Sequence, residues 1–156
     1  MIEEISIQAA ADTLGRQGEA VYLDVRTVEE FERGHPPGAW NIPYAIPSPD
    51  TGMMMPNPEF ARVADAVLDR DVTILCGCAT GMRSLHAGNL LSRVGFDHVL
   101  NVDAGFNGKR DPTGRMLVPG WKATGLPIEA GDGGERGYVA ALIAAAGAPS
   151  QNSPDS

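Results

Sequence analysis

Val72-Thr73-Ile74-Leu75-Cys76 leads through Gly77 into Cys78-Ala79-Thr80-Gly81-Met82-Arg83-Ser84, and the fold follows from how this stretch is read. The first five residues form a short apolar run between turn signals, which suits a buried strand and is too short for a helix. Gly81 lets the next segment curl tightly. From Ser84 onward Leu85, Leu90, Leu91 and Val94 supply the apolar positions of a helix, and Gly95 suits its stop. The unit is strand, tight loop, helix, with a cysteine at the start of the loop. In open α/β sheets ligands sit at the carboxyl ends of the strands, and Cys78 lies there.

Working outward, the same alternation recurs. Ile5-Ser6-Ile7 reads as a first short strand, followed by a helix through about Gly15. Ala20-Val21-Tyr22-Leu23-Asp24-Val25 is a second buried strand. Thr27 is placed as an N-cap with Glu30 three residues on, a capping-box pattern, and that helix stops at Gly34. A loop to Pro43 holds one short strand at Ala39-Trp40-Asn41, and Pro43 to Pro56, with Met53, Met54 and Met55, reads as a long irregular segment packing on the core. Asn57-Pro58-Glu59 has the N-cap, proline and acid of a helix start. Phe60, Val63, Ala64, Val67 and Leu68 then share one helical face. His98-Val99-Leu100-Asn101-Val102 is the last strand of the sheet. Gly105 to Gly125 is rich in glycine and charge, with a turn at Asp111-Pro112-Thr113-Gly114.

These elements predict an α/β fold: a central, mainly parallel, five-stranded sheet flanked by helices on both faces. The domain is expected over 1–130. Gly131-Asp132-Gly133-Gly134 reads as a hinge into a C-terminal helical extension, 131–147, with Tyr138, Val139, Leu142 and Ile143 on one face. The polar tail, 148–156, is expected to be disordered.

Composition narrows the function. The chain has 156 residues, 43% of them hydrophobic, and a net charge of -8. One domain with a proper core is expected. The acidic balance argues against nucleic-acid and anionic-membrane partners, which need clustered Lys and Arg. The N-terminus lacks the basic start and apolar run of a signal peptide, and no stretch suits a membrane span, so a soluble cytoplasmic protein is expected. The two cysteines, Cys76 and Cys78, are too few and too close for a disulfide framework.

A thiolate is the reactive form of cysteine and is stabilised near helix N-termini and cations. Several N–H groups of the loop after Cys78 are expected to point inward at one anion. That cradle would serve the sulfur anion, an anionic donor and the product of transfer alike. Cys76 reads as a buried strand cysteine. A zinc site from Cys76, Cys78, His86 and His98 matches no standard spacing, so no metal and no other cofactor is expected. His35 reads as a turn or hydrogen-bonding residue. Asp24 and Arg26 read as an ion pair ordering the loops, within reach of substrate.

Cys78-Ala79-Thr80-Gly81-Met82-Arg83-Ser84 resembles the active-site loop of the rhodanese-like family, Cys-x-x-Gly-x-Arg-Ser. Leu23-Asp24-Val25-Arg26, Glu29-Glu30-Phe31 and Gly34-His35-Pro36-Pro37-Gly38-Ala39-Trp40-Asn41-Ile42-Pro43 are similar to its first signature. Gly105-Phe106, Trp121 and Gly125-Leu126-Pro127 are similar to its closing one. The chain departs from the pattern where Phe106 replaces a second glycine and where 107–120 intervenes before Trp121. The resemblance implies a rhodanese fold and a thiosulfate sulfurtransferase activity. Cys78 would carry a persulfide, taking sulfur from thiosulfate or polysulfide and passing it to cyanide or a thiol. It also implies that Arg83 pairs with Glu30. Related phosphatases and arsenate reductases use a loop one residue longer than the four between Cys78 and Arg83, which disfavours phosphoryl transfer. A persulfide carrier or docking module, served by a protein sulfur donor or acceptor, is the alternative from another class. Lys109 and Arg110, in the 107–120 insertion, are read either as part of a solvated hairpin or as a cationic lip steering an anionic donor.

Overall fold

The computed structural model describes residues 1–147; the tail expected to be disordered, 148–156, lies outside them. The chain opens with β1 (Glu3–Ile5), α1 (Ile7–Leu14), β2 (Ala20–Asp24), α2 (Val28–Arg33) and β3 (Trp40–Asn41). A hairpin of β4 (Ala45–Pro47) and β5 (Met54–Pro56) follows, then α3 (Phe60–Val67), β6 (Thr73–Gly77), α4 (Met82–Arg93) and β7 (Val99–Val102). A second hairpin, β8 (Gly108–Arg110) and β9 (Met116–Pro119), precedes two short 3-10 turns and α5 (Tyr138–Ala146).

The central sheet has five strands in the order β1-β7-β6-β2-β3, each pair parallel. Parallel neighbours need crossovers, and the helices supply them on both faces. Phe60, Val63 and Ala64 of α3, Ala87 and Leu91 of α4, and Ala141 and Ala145 of α5 pack on one face with Leu23, Ile74 and Cys76. Ile7 and Ala10 of α1 and Phe31 of α2 pack on the other with Tyr22, Leu75, Val102 and Trp121. The chain leaves β2 toward β3 and leaves β6 toward β7, in opposite directions across the sheet. The crevice between the ends of β2 and β6 is therefore the topological switch point, where such sheets bind ligands.

The caps explain the boundaries. Thr27 Oγ1 accepts from Glu30 N and Glu30 Oε1 accepts from Thr27 N, so the expected capping box opens α2. Ser6 accepts from Ala9 N and caps α1. Ile7 therefore begins the helix, and the first strand ends at Ile5 instead of running through Ile7. Gly95, at φ 104, ends α4 as expected.

Four expectations are corrected. The segment from Pro43 to Pro56 is not irregular: it folds into the β4–β5 hairpin, whose prolines pair at its ends (Pro47 with Met54, Ala45 with Pro56). Its three methionines, Met53 to Met55, face solvent instead of the core. Helix α3 begins at Phe60 and not at Pro58. The Asn57 side chain accepts from Glu59 N in a turn and donates to the Pro43 carbonyl and the Tyr138 hydroxyl, so it ties segments together before the helix starts. Finally, α5 does not bury the face that holds Val139 and Ile143, which are 67% and 70% exposed. The expected face is half right: Tyr138 and Leu142 pack against the core beside the buried Ala141 and Ala145, and the Ala145 carbonyl accepts from Arg62 of α3.

Candidate active site

Cys78 follows β6 at the switch point. Gly77 is required there, because a Cβ would fall 1.9 Å from the Tyr22 hydroxyl. The loop rises to Gly81, whose φ of 105 suits glycine, and α4 begins at Met82. Beneath it, Phe106 N donates to the Cys78 carbonyl (2.7 Å) and Asn107 N to the Ala79 carbonyl (2.8 Å). Gly105, at φ 59, permits this contact, since a Cβ would strike the Cys78 carbonyl at 2.3 Å. The closing Gly105-Phe106 signature thus braces the loop, and it does so without a second glycine.

The sulfur is 1% exposed as a residue but not isolated. Gly81 N donates to Cys78 Sγ at 3.1 Å, and Ser84 Oγ lies 3.3 Å away. Among the described residues Gly81 supplies the one amide that reaches the sulfur, fewer than the several expected. The first turn of α4 has no side-chain cap, so its N–H groups have no side-chain partner there. Ala79 is half-buried, while Thr80 and Met82 are exposed at the rim. Cys76 is wholly buried in the apolar cluster, and burial, then the neighbouring Cys78, pushes its thiol far up.

Arg83 grips Glu30 through two hydrogen bonds of 2.8 and 3.1 Å. Burial alone would raise the Glu30 carboxyl. The hydrogen bonds and charge of Arg83, with the Thr27 amide and hydroxyl, outweigh it and hold the group at about 2. The native value is thus below the ordinary one of 4.5. The stabilisation is therefore complete above the ordinary value and is lost as pH falls toward about 2. Glu30→Gln should flatten this acid limb of stability, as read from urea midpoints against pH. An unaltered limb would mean the pair contributes nothing.

Asp24 and Arg26 form the expected pair. Arg26 Nη2 meets Asp24 Oδ2 at 2.6 Å and Nε meets Oδ1 at 2.9 Å, with both side chains at most 4% exposed. Burial pushes the Asp24 carboxyl upward, against the pull of Arg26. Arg26 also donates to the Gly34 carbonyl (2.6 Å) and lies over the Phe106 ring (4.3 Å), which links β2, the end of α2 and the brace beneath the loop. His35 is the turn residue expected: its backbone pairs both ways with Glu129, Nδ1 lies 2.7 Å from the Phe31 carbonyl, and its ring stacks on Phe31.

The 107–120 insertion is the β8–β9 hairpin. Lys109 pairs with Asp103, and Arg110 donates to the Gly114 carbonyl across the turn. A pocket of about 330 Å³ beside Arg26 and Phe106 is instead flanked by Arg33 and Lys122, which the sequence reading did not single out. Asn101, a polar residue in an apolar strand, is likewise not among the expected site residues, yet its amide meets both Ser84 and the Gly81 carbonyl.

Residues 6–110 match the rhodanese-like domain family. The chain is 38% identical over 87 residues to rhodanese-like domain-containing protein 17 of Arabidopsis thaliana, covering 54% of each protein, so it spans about half of that relative. It is 39% identical over 107 residues to thiosulfate sulfurtransferase 18 of the same plant, covering 67% of this chain and 76% of the relative. A crystal structure of a protein from M. tuberculosis superposes with a TM-score of 0.68 at 28% identity, over 83% of this chain and 98% of that one. With the parallel sheet, the Cys78 loop at its switch point and the matched residues in agreement, the chain belongs to the rhodanese-like domain family.

Proposed function

We propose that the protein is a sulfurtransferase that carries a sulfane sulfur as a persulfide on Cys78. The Cys78 thiolate attacks the outer sulfur of a small anionic donor such as thiosulfate. The donor S–S bond breaks and sulfite leaves with the bonding electron pair. A thiolate, or cyanide in the test tube, then attacks the outer sulfur of the persulfide, and the Cys78 thiolate departs. The observation that carries this reading is the placement of Cys78 Sγ on Gly81 N–H, under the uncapped start of α4. Those amides suit a sulfur anion and a small oxyanion. The Arg83 fork is engaged by Glu30, so it is not free to clamp a transferring phosphoryl group. That supports sulfur over phosphoryl transfer.

Steady-state turnover of thiosulfate with cyanide tests the enzyme against a carrier. Repeated turnovers are expected. Stoichiometric loading without turnover would leave a relay module fed by a protein partner.

Steering remains part of the proposal. Lys109 and Arg110 stand on the hairpin whose root, at Gly108 and Gly120, abuts the brace under the loop. Asp103 offsets the charge of Lys109, so the field of this hairpin rests chiefly on Arg110, and it acts over about 8 Å at physiological salt. Changing both to Ala should raise KM for thiosulfate at low salt and leave kcat nearly unaltered. An unchanged kcat/KM at low salt would leave a hairpin with no part in capture.

A further inference from the structure

Beyond the sulfur and its loop, one buried chain of hydrogen bonds runs from Cys78 to the edge of the sheet. Ser84 Oγ is within bonding distance of two atoms, Cys78 Sγ at 3.3 Å and Asn101 Oδ1 at 2.5 Å. Asn101 Nδ2 lies 3.1 Å from the Gly81 carbonyl and 2.7 Å from Glu4 Oε2. Ser84 is fully buried and Asn101 is 1% exposed.

The donor inventory fixes the directions. Both neighbours of Asn101 Nδ2 are acceptors only, a carbonyl and a carboxylate, so the two amide hydrogens go to them. The amide cannot turn over without setting Oδ1 against those two oxygens. Oδ1 therefore faces Ser84 as an acceptor, and the single hydroxyl proton of Ser84 goes to it. A hydroxyl has one proton, so Ser84 then presents a lone pair to the sulfur. This suits a thiol, whose S–H can donate to Ser84 Oγ. It does not suit a thiolate, which needs the Ser84 proton turned toward it. Gly81 N–H serves the sulfur in either state.

We propose that Asn101 is a positioning residue for Cys78, acting through Ser84 by competing for the hydroxyl proton that the sulfur anion needs. This rests on Cys78 being the reactive cysteine. Glu4, on exposed β1, holds the amide in the competing orientation. Formation of the thiolate is thereby coupled to rotation of one hydroxyl away from Asn101. In the persulfide the negative charge moves to the outer sulfur, and the Ser84 proton can return to Asn101.

The other ionisable groups near the sulfur are Tyr22 and Asp24 on β2, the latter bound to Arg26, with Cys76 on β6 and Arg83 on α4, bound to Glu30. None changes in the test. The test is a double-mutant cycle on the full chain, with iodoacetamide alkylation of Cys78 located by mass spectrometry. The rate near neutral pH is divided by the rate at high pH, where the sulfur is ionised in every variant. Asn101→Ala should raise this ratio on the order of tenfold, the scale of one hydrogen bond to a charged group. In the Ser84→Ala background the same substitution should leave the ratio unaltered. Asn101 also holds the Gly81 carbonyl, and loosening of the loop would appear equally in both backgrounds, so the cycle removes it. Asn101→Leu, which fills the space and also lacks an acceptor, should behave the same and covers a failure of the alanine variant to fold. An equal change in both backgrounds, or a fall in the ratio, overturns the proposal. The assay uses no sulfur donor, so a persulfide that fails to form would count against the sulfurtransferase and leave this cycle readable.

Discussion

Cys78→Ser is expected to reduce sulfur transfer to the rate seen without protein, while Cys76→Ser leaves the activity of the folded protein largely intact. The two thiols stand two residues apart and differ in surroundings. Cys78 has passed the end of β6 and bonds to Gly81 N–H. Cys76 is still within the strand, level with Leu23 on one side and Asn101 on the other, and its side chain belongs to the apolar cluster. Burial opposes its ionisation, so it is a poor nucleophile. Its replacement acts on stability instead: a hydroxyl placed there without a partner should cost about 1–3 kcal/mol. Loss of transfer with Cys76→Ser in a folded protein would reverse the assignment.

Asp24→Ala is expected to destabilise the fold by about 3–5 kcal/mol, the range for removing one member of a buried ion pair. The loss follows from what remains. Arg26 would keep its guanidinium 4% exposed, bonded to the Gly34 carbonyl but with no carboxylate. At about 2–4 °C per kcal/mol for a chain of this size, Tm should drop by roughly 6–20 °C. Asn41 donates to the Asp24 and Arg26 carbonyls, so the backbone around the pair is also held. The double change Asp24→Leu with Arg26→Met should recover much of the loss, because no unpaired charge stays buried. A drop below about 1 kcal/mol for Asp24→Ala would show that water or backbone groups already satisfy Arg26.

Both predictions concern residues that were legible before the fold was. The strand–loop–helix run from Val72 to Ser84 carries its own signals: a short apolar strand, a glycine where φ must be positive, and an apolar helical face. The capping box at Thr27 is equally local. What the sequence did not disclose depends on contacts distant along the chain. The β4–β5 hairpin was hidden because its prolines and adjacent methionines resemble a loop, and their pairing shows only when Ala45 meets Pro56. In α5 the four apolar residues expected on one face divide: Tyr138 and Leu142 pack on the core beside Ala141 and Ala145, while Val139 and Ile143 face solvent. At the site, Arg83 with Glu30 was expected by resemblance and stands as expected. Asn101 was missed because a single polar residue inside an apolar strand has no periodic signal. Its role appears only when β7 brings it under the start of α4, 20 residues after Gly81 in sequence.

Intact mass spectrometry after incubation with thiosulfate, followed by mapping of the alkylated peptides, tests directly whether Cys78 carries the sulfur. The expected result is a gain of one sulfur atom per chain, located on Cys78, lost on adding cyanide and absent from Cys78→Ser. A folded protein that gains no mass with thiosulfate, polysulfide or a persulfide-loaded protein donor would contradict it, as would sulfur found on Cys76.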